Sequence, residues 1–191
     1  MINNIYAINP ILKFDSTDDF YFLQIIKRKK DNPEVGSNSI VIKTYYIRSQ
    51  DQLEFLMPEI IAICNFHNAR ACINLNVRSF EKTAFHTMKK ISDIIMNRDF
   101  KSVMSAYDSV CGEFGAGKNK SWVIDIDTID EEFIEDVERN INNCPPEGMK
   151  IICQIPTKNG YHLISLPFDL REFKFPEIDI HKNNPTILYI P

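Results

Sequence analysis

The hexapeptide Trp122-Val123-Ile124-Asp125-Ile126-Asp127 constrains the fold more than any other stretch of the chain. Side chains alternate faces along a strand, so Asp125 and Asp127 share one face and Ile124 and Ile126 the other. The strand rise separates the two carboxylates by roughly 7 Å. The sheet holding this strand therefore has one packed face and one face bearing two acids side by side. Such acids repel each other unless a cation sits between them. Oxygen ligands in this arrangement suit a hard divalent ion such as Mg²⁺ or Mn²⁺, and two-metal phosphoryl transfer uses such a cluster. The competing reading is a strand end that caps the next helix, with Thr128 and Asp130 as capping residues.

The rest of the chain mixes strand and helix patterns without strict alternation. Residues 20–26 (FYFLQII) and 39–47 (SIVIKTYYI) read as a hairpin across the turn signals of Asp31-Asn32-Pro33 and Gly36-Ser37-Asn38. Residues 49–68 read as a helix capped by Ser49 or Asp51, with Pro58 expected to kink or split it. Residues 71–77 alternate like a strand, and 80–96 form a second helix with Phe85, Met88, Ile91 and Ile95 on one face. The stretch 99–120 is ambiguous and ends in a glycine-rich segment expected to be a mobile loop. An acidic amphipathic helix is expected over 131–142, and strands over 149–155, 161–165, 178–180 and 186–190. This pattern predicts one α/β (α+β) domain, with helices packed on mixed or antiparallel sheets.

The chain has 191 residues, long enough for one substantial core. No window approaches about 18 consecutive apolar residues, which argues against a membrane span. The N-terminal stretch lacks signal-peptide character, and the five cysteines form no CxxC pair, so a cytoplasmic protein with reduced thiols is expected. A net charge of -4 argues against passive, charge-driven binding of nucleic acid, though not against an enzyme with local basic patches. The densest such patch, Lys27-Arg28-Lys29-Lys30, reads first as a solvated hairpin end.

Two further segments carry chemistry. In Pro156-Thr157-Lys158-Asn159-Gly160-Tyr161-His162, a turn between apolar strands offers a point charge, a glycine permitting close approach and a hydrogen-bonding imidazole to a triphosphate. The plain alternative is a β-turn with an exposed lysine and an edge histidine. In Glu177-Ile178-Asp179-Ile180, Asp179 lies where it could complete a three-carboxylate cluster.

The order of WVIDID, KNGYH and EIDI, over roughly residues 122–189, resembles the archaeo-eukaryotic primase superfamily, the catalytic module of primases and primase-polymerases. The resemblance is to small bacterial or phage members. It implies an RRM-like sheet beside a second α/β unit, with residues 1–120 as the N-terminal unit and 121–191 as the motif-bearing part. It implies that Asp125, Asp127 and Asp179 are catalytic and bind Mg²⁺ or Mn²⁺, while Lys158, Gly160 and His162 contact the phosphates of the incoming nucleotide. Arg78, just after a strand, is a further candidate for a phosphate or the template, against the plainer reading of a surface arginine. Nucleoside triphosphates, a single-stranded DNA template and replication proteins such as a helicase follow as implied partners. A rival reading is a non-catalytic nucleotide- or nucleic-acid-binding accessory protein of replication. A third is another metal-dependent phosphotransferase or a nuclease using the same acids.

Two other patterns compete for attention. Residues 112–118 (GEFGAGK) hint at a phosphate-binding loop, but the segment precedes a strand and lacks Ser or Thr after the lysine, so it is set aside. Cys64, His67, Cys72 and Cys111 could supply a zinc site, but their spacing is not that of a finger, and small buried cysteines are the plainer reading.

Overall fold

The computed structural model describes residues 1–36, 39–115, 117–118 and 120–191. The turn signal at Ser37-Asn38, and Ala116 and Asn119 of the glycine-rich segment, lie outside the described residues. In chain order the elements are β1 (Ile2–Asn3), α1 (Ile5–Ile8), β2 (Asp19–Arg28), β3 (Ser39–Ile47), α2 (Gln50–His67), β4 (Arg70–Ile73), β5 (Arg78–Ser79) and α3 (Phe80–Met96). Then follow α4 (Ala106–Glu113), β6 (Trp122–Ile126), α5 (Glu131–Asn143), β7 (Ile151–Pro156), β8 (Tyr161–Ser165), β9 (Asp179–His181) and β10 (Thr186–Ile190). Among the described residues the fold is thus mixed α/β, with five α-helices on antiparallel sheets. No described helix is long and apolar enough to cross a membrane.

The first sheet runs β1-β10-β4-β2-β3, with β5 pairing the start of β2. Tyr21, Leu23 and Ile25 of β2 enter the main core beneath α2, whose Leu53, Met57, Ile60 and Cys64 are buried. Phe20 and Phe22, on the opposite face, pack with Cys111 of α4. A strand covered on both faces needs the near-continuous apolar run seen in its sequence. The second sheet runs β7-β8-β6-β9. Ile124 and Ile126 of β6 and Leu163 of β8 meet Ile134, Val137 and Ile141 of α5. Val123, Ile155 and Ile164 join the main core instead, which welds the two sheets together. Residues 121–181 supply the second sheet, but β10 crosses back into the first.

Three local expectations need correction, and the apolar face of α3 is given a direction. Pro58 neither splits nor ends α2, which runs unbroken from Gln50 to His67. Its ring lies on the solvent side, where water can solvate the carbonyl it leaves unbonded, and the buried face holds the helix. The strand expected over 71–77 stops at Ile73. Asn74 and Asn76 leave the ladder to donate to the backbone carbonyls of Asn183 (2.8 Å) and Lys182 (2.9 Å), so two polar residues that mimic strand alternation are buried loop clamps. The ambiguous stretch 99–120 contains a 3-10 turn, Phe100–Ser105, and then α4. Finally, the face of α3 bearing Phe85, Met88 and Ile95 points outward, and its buried side holds Thr83.

Candidate functional site

Strand register assembles the site. Asp125 of β6 stands directly opposite His162 of β8 on one side and Asp179 of β9 on the other. Directly paired residues share a face, so the three form a row across the sheet. Asp127 lies two residues further along β6 on the same face. Ile124 and Ile126 anchor the strand from the other face, both essentially fully buried. Three of the candidate motifs, about 55 residues apart from first to last, thus converge through ordinary antiparallel pairing.

His162 is the best-fixed member of the row. Its Nδ1 is 2.8 Å from the hydroxyl of Thr186 on β10, which is fully buried. Its Nε2 is 3.4 Å from Oδ1 of Asp125. When the threonine hydroxyl donates to Nδ1, the ring proton sits on Nε2 and points to the carboxylate. The His162 hydrogen bond, outweighing partial burial and helped by the charges of His162, His181 and Arg28, holds the Asp125 carboxyl below the usual range. Asp125 is therefore a carboxylate at neutral pH.

Gly160 has a steric reason of its own. A Cβ there would lie 2.0 Å from the Ile126 carbonyl oxygen and 2.7 Å from the Thr128 nitrogen. Only a residue without a side chain lets β8 start against the end of β6. Thr157 closes the turn, its N–H donating to the Gly160 carbonyl (2.8 Å). Lys158 projects from this turn, largely exposed, with Nζ 3.9 Å from Oδ1 of Asp31. Asp31 is already held by Arg70 through two hydrogen bonds of 2.7 and 2.6 Å.

The acids open onto two clefts. A small one of about 220 Å³ is lined by Asp125, Asp127, Glu177 and Asp179. A larger one of about 710 Å³ has Asp125, Asp127, His162 and Lys158 on one side and Arg28, Lys30 and Arg70 of the first sheet on the other. Two members of the basic run read from sequence as a solvated hairpin end therefore line the same cleft as the acids. Arg28, Lys30, Arg70, Thr186 and His181 are the residues that sequence reasoning missed here. The run of four basic residues was the available signal for the first two, but the first sheet's placement against the second was needed to use it.

Among the described residues, no three His, Cys, Asp or Glu side chains are gathered into a ready metal cage. The donor set nonetheless fits a hard divalent ion: carboxylate oxygens from β6 and β9 line one small cleft. Arg78 is not part of this cleft. It is fully buried, and neither the phosphate-contact expectation nor the surface-arginine reading describes it. Its Nε donates to the Cys111 carbonyl (2.7 Å) and its Nη2 to Oδ1 of Asn183 (3.1 Å), with a third bond to the Asn76 carbonyl. Burial lowers its pKa to about 10, which leaves it charged at neutral pH. Arg78 ties α4 to the loops holding Asn76 and Asn183. Cys64 packs in the main core and Cys111 in the separate aromatic cluster, and burial pushes both thiols up to about 12. Lys118, of the glycine-rich segment, forms an ion pair with Asp19 at 2.9 Å.

Comparison of the chain with protein-family models, with curated proteins and with solved structures finds no match.

Proposed function

We propose that the chain is a metal-dependent nucleotidyltransferase of the primase-polymerase kind, joining nucleotides on a single-stranded DNA template. The observation that carries this reading is the row His162–Asp125–Asp179 across three strands, whose His162 and Asp125 line a cleft shared with Arg28, Lys30 and Arg70, while Asp179 lines the small cleft beside it. An acid cluster alone suits many hydrolases and binding proteins. An acid cluster beside Arg28, Lys30, Lys158 and His162 suits a polyanion whose metal and phosphates must be held at once. The strand order β7-β8-β6-β9, with α5 between β6 and β7 and the 3-10 turn Leu170–Glu172 between β8 and β9, supports the reading of an RRM-like sheet.

In this reading Asp125, Asp127 and Asp179 hold Mg²⁺ or Mn²⁺. A metal held there would supply a lowered pKa for the attacking 3'-hydroxyl and charge to shield the triphosphate. His162, its ring fixed by Thr186, would turn its Nε2 proton from Asp125 to a phosphate oxygen once that carboxylate holds the metal. Lys158 swings from Asp31 to the phosphates, a small motion for an exposed side chain on a turn. Arg28 and Lys30 supply charge from the facing sheet. Gly160 keeps β8 and β6 in the register that aligns His162 with Asp125. The chemistry calls for positioning and charge stabilisation, with no covalent protein intermediate.

The test is primer extension and de novo synthesis on single-stranded DNA with labelled rNTPs and dNTPs, in Mg²⁺ and in Mn²⁺, beside Asp125→Asn. Metal-dependent product absent from the variant supports the reading. Nucleotide binding without product in either metal moves the assignment to a non-catalytic accessory protein.

A further inference from the structure

Helix α3 carries an apolar stripe that this chain leaves open to solvent. Phe85, Met88 and Ile95 recur at helical spacing on one line, with Ser92 between them, and Met96 flanks the line. All four apolar residues are exposed, as are Phe100 and Met104 of the 3-10 turn that follows, with values between 50% and 94%. The helix is anchored on its other side: Thr83 is buried, and Lys90 Nζ donates to Ser109 Oγ of α4 at 2.6 Å. At about 200 Å² for a fully exposed large side chain, the four on α3 present on the order of 500 Å² of apolar surface, and Phe100 and Met104 are exposed on the turn that follows. That area is at the upper end of the largest patch found on a monomer, the size that marks an interaction site, and it supplies the apolar centre of a standard interface.

We propose that this face is the interface of a two-fold dimer, in which α3 packs antiparallel on α3 of a second copy. The stripe complements itself. With the two-fold axis between Met88 and Ser92, Phe85 of each helix meets Ile95 and Met96 of the other, and Met88 lies over the small Ser92. In an antiparallel pair each flank meets its own copy, so the same placement sets Lys89 of one helix beside Asp93 of the other, twice over. Both residues are exposed in the single chain. A closed two-fold contact of this kind satisfies the patch without propagating into filaments.

The location keeps the dimer clear of the cleft. β5, from which α3 starts, pairs with Asp19 and Phe20 at one end of β2, whereas Arg28 at the other end lines the cleft, about 30 Å away by the strand rise. The inference is therefore independent of the catalytic reading.

Sedimentation velocity across a concentration series tests it. The full chain is expected to saturate as a dimer by about 50 µM. Met88→Glu and Ile95→Glu, both at exposed positions that spare the core, should each weaken association at least about tenfold with an unchanged circular dichroism melt. Lys89→Glu alone should weaken it about threefold, and Lys89→Glu with Asp93→Lys should restore it. A monomer at all concentrations, assembly that grows past two copies, a dimer indifferent to Met88→Glu, or failure of the charge exchange to restore association would each overturn the proposal.

Discussion

The interior strands of the two sheets, β2 and β6, are built on opposite plans. From Asp19 to Ile25, β2 is covered on both sides, by α2 below Tyr21, Leu23 and Ile25 and by the aromatic cluster around Phe20 and Phe22. β6 is covered on one side by α5, and on the other it moves from the packed Val123 to the cleft-lining Asp125 and Asp127. In β2 an apolar side chain is needed at nearly every position. On that face of β6 the packing requirement stops at Asp125, whose partner is the cleft-lining His162, while Ile126 stays packed on the other face. Buried polar residues elsewhere have a structural duty: Arg78 is bonded to a carbonyl of α4, and Asn74 and Asn76 to loop carbonyls. The contrast teaches that burial and partner list, rather than polarity alone, separate a site residue from a clamp.

The largest expected effect tests β6 directly. Asp125→Asn should lower nucleotide incorporation by about 10³-fold or more, because a metal ligand is lost, while thermal stability changes little. A variant that loses its cooperative melt would make Asp125 a structural residue and erase the contrast. The converse change belongs to β2. Ile25→Ala should cost about 2–5 kcal/mol in chemical denaturation, whereas Asp127→Asn should stay within about 0.5 kcal/mol. Gly160→Ala should cost about 1–3 kcal/mol, since its methyl group meets the Ile126 carbonyl, and it should loosen amide-exchange protection in β6 and β8 first.

Thr186→Val should reduce activity by about 10- to 100-fold through His162, with the larger change in kcat, and Thr186→Ser should recover most of it. A merely structural threonine would show neither the kcat bias nor the rescue by serine. The smallest effect is on acid stability. Burial raises the Asp31 carboxyl, but the Arg70 hydrogen bonds and charge outweigh it and hold the pKa below the usual value. Asp19 is likewise lowered, its burial outweighed by Lys118 and the backbone donors of Asp15 and Ser16. Depressed native pKa values contribute stability that is fully present above about pH 4 and is lost as pH falls through the lowered values. Asp31→Asn should flatten the acid limb of the stability–pH curve, and an unchanged limb would remove the ion pair from the account.

Much of this architecture was legible in local patterns. The β2–β3 hairpin, Ser49 as the cap of α2 (its hydroxyl accepting from the Gln52 N–H at 3.0 Å), and the inward Ile134, Val137 and Ile141 of α5 follow from turn chemistry, capping and periodicity. The shared face of Asp125 and Asp127 follows from strand period alone. Their alignment with His162 and Asp179 does not, because register depends on which strands pair. The basic wall was harder still: Arg28 and Lys30 lie about 100 residues before the acids, and only the packing of one sheet against the other makes them neighbours. Arg78 misled for the opposite reason. Charge at a strand end looks like surface until loops 112–115 and 182–183 are folded over it.

The central claim is that Asp125, Asp127 and Asp179 form one divalent-cation site beside His162. It is tested most directly by titrating the full chain with Mn²⁺ in the presence of a non-hydrolysable nucleoside triphosphate and following backbone amide signals by NMR. The account predicts that paramagnetic broadening begins at the ends of β6, β8 and β9, around those four residues, and disappears in Asp125→Asn. Broadening that begins elsewhere, or that survives unchanged in the variant, would contradict it.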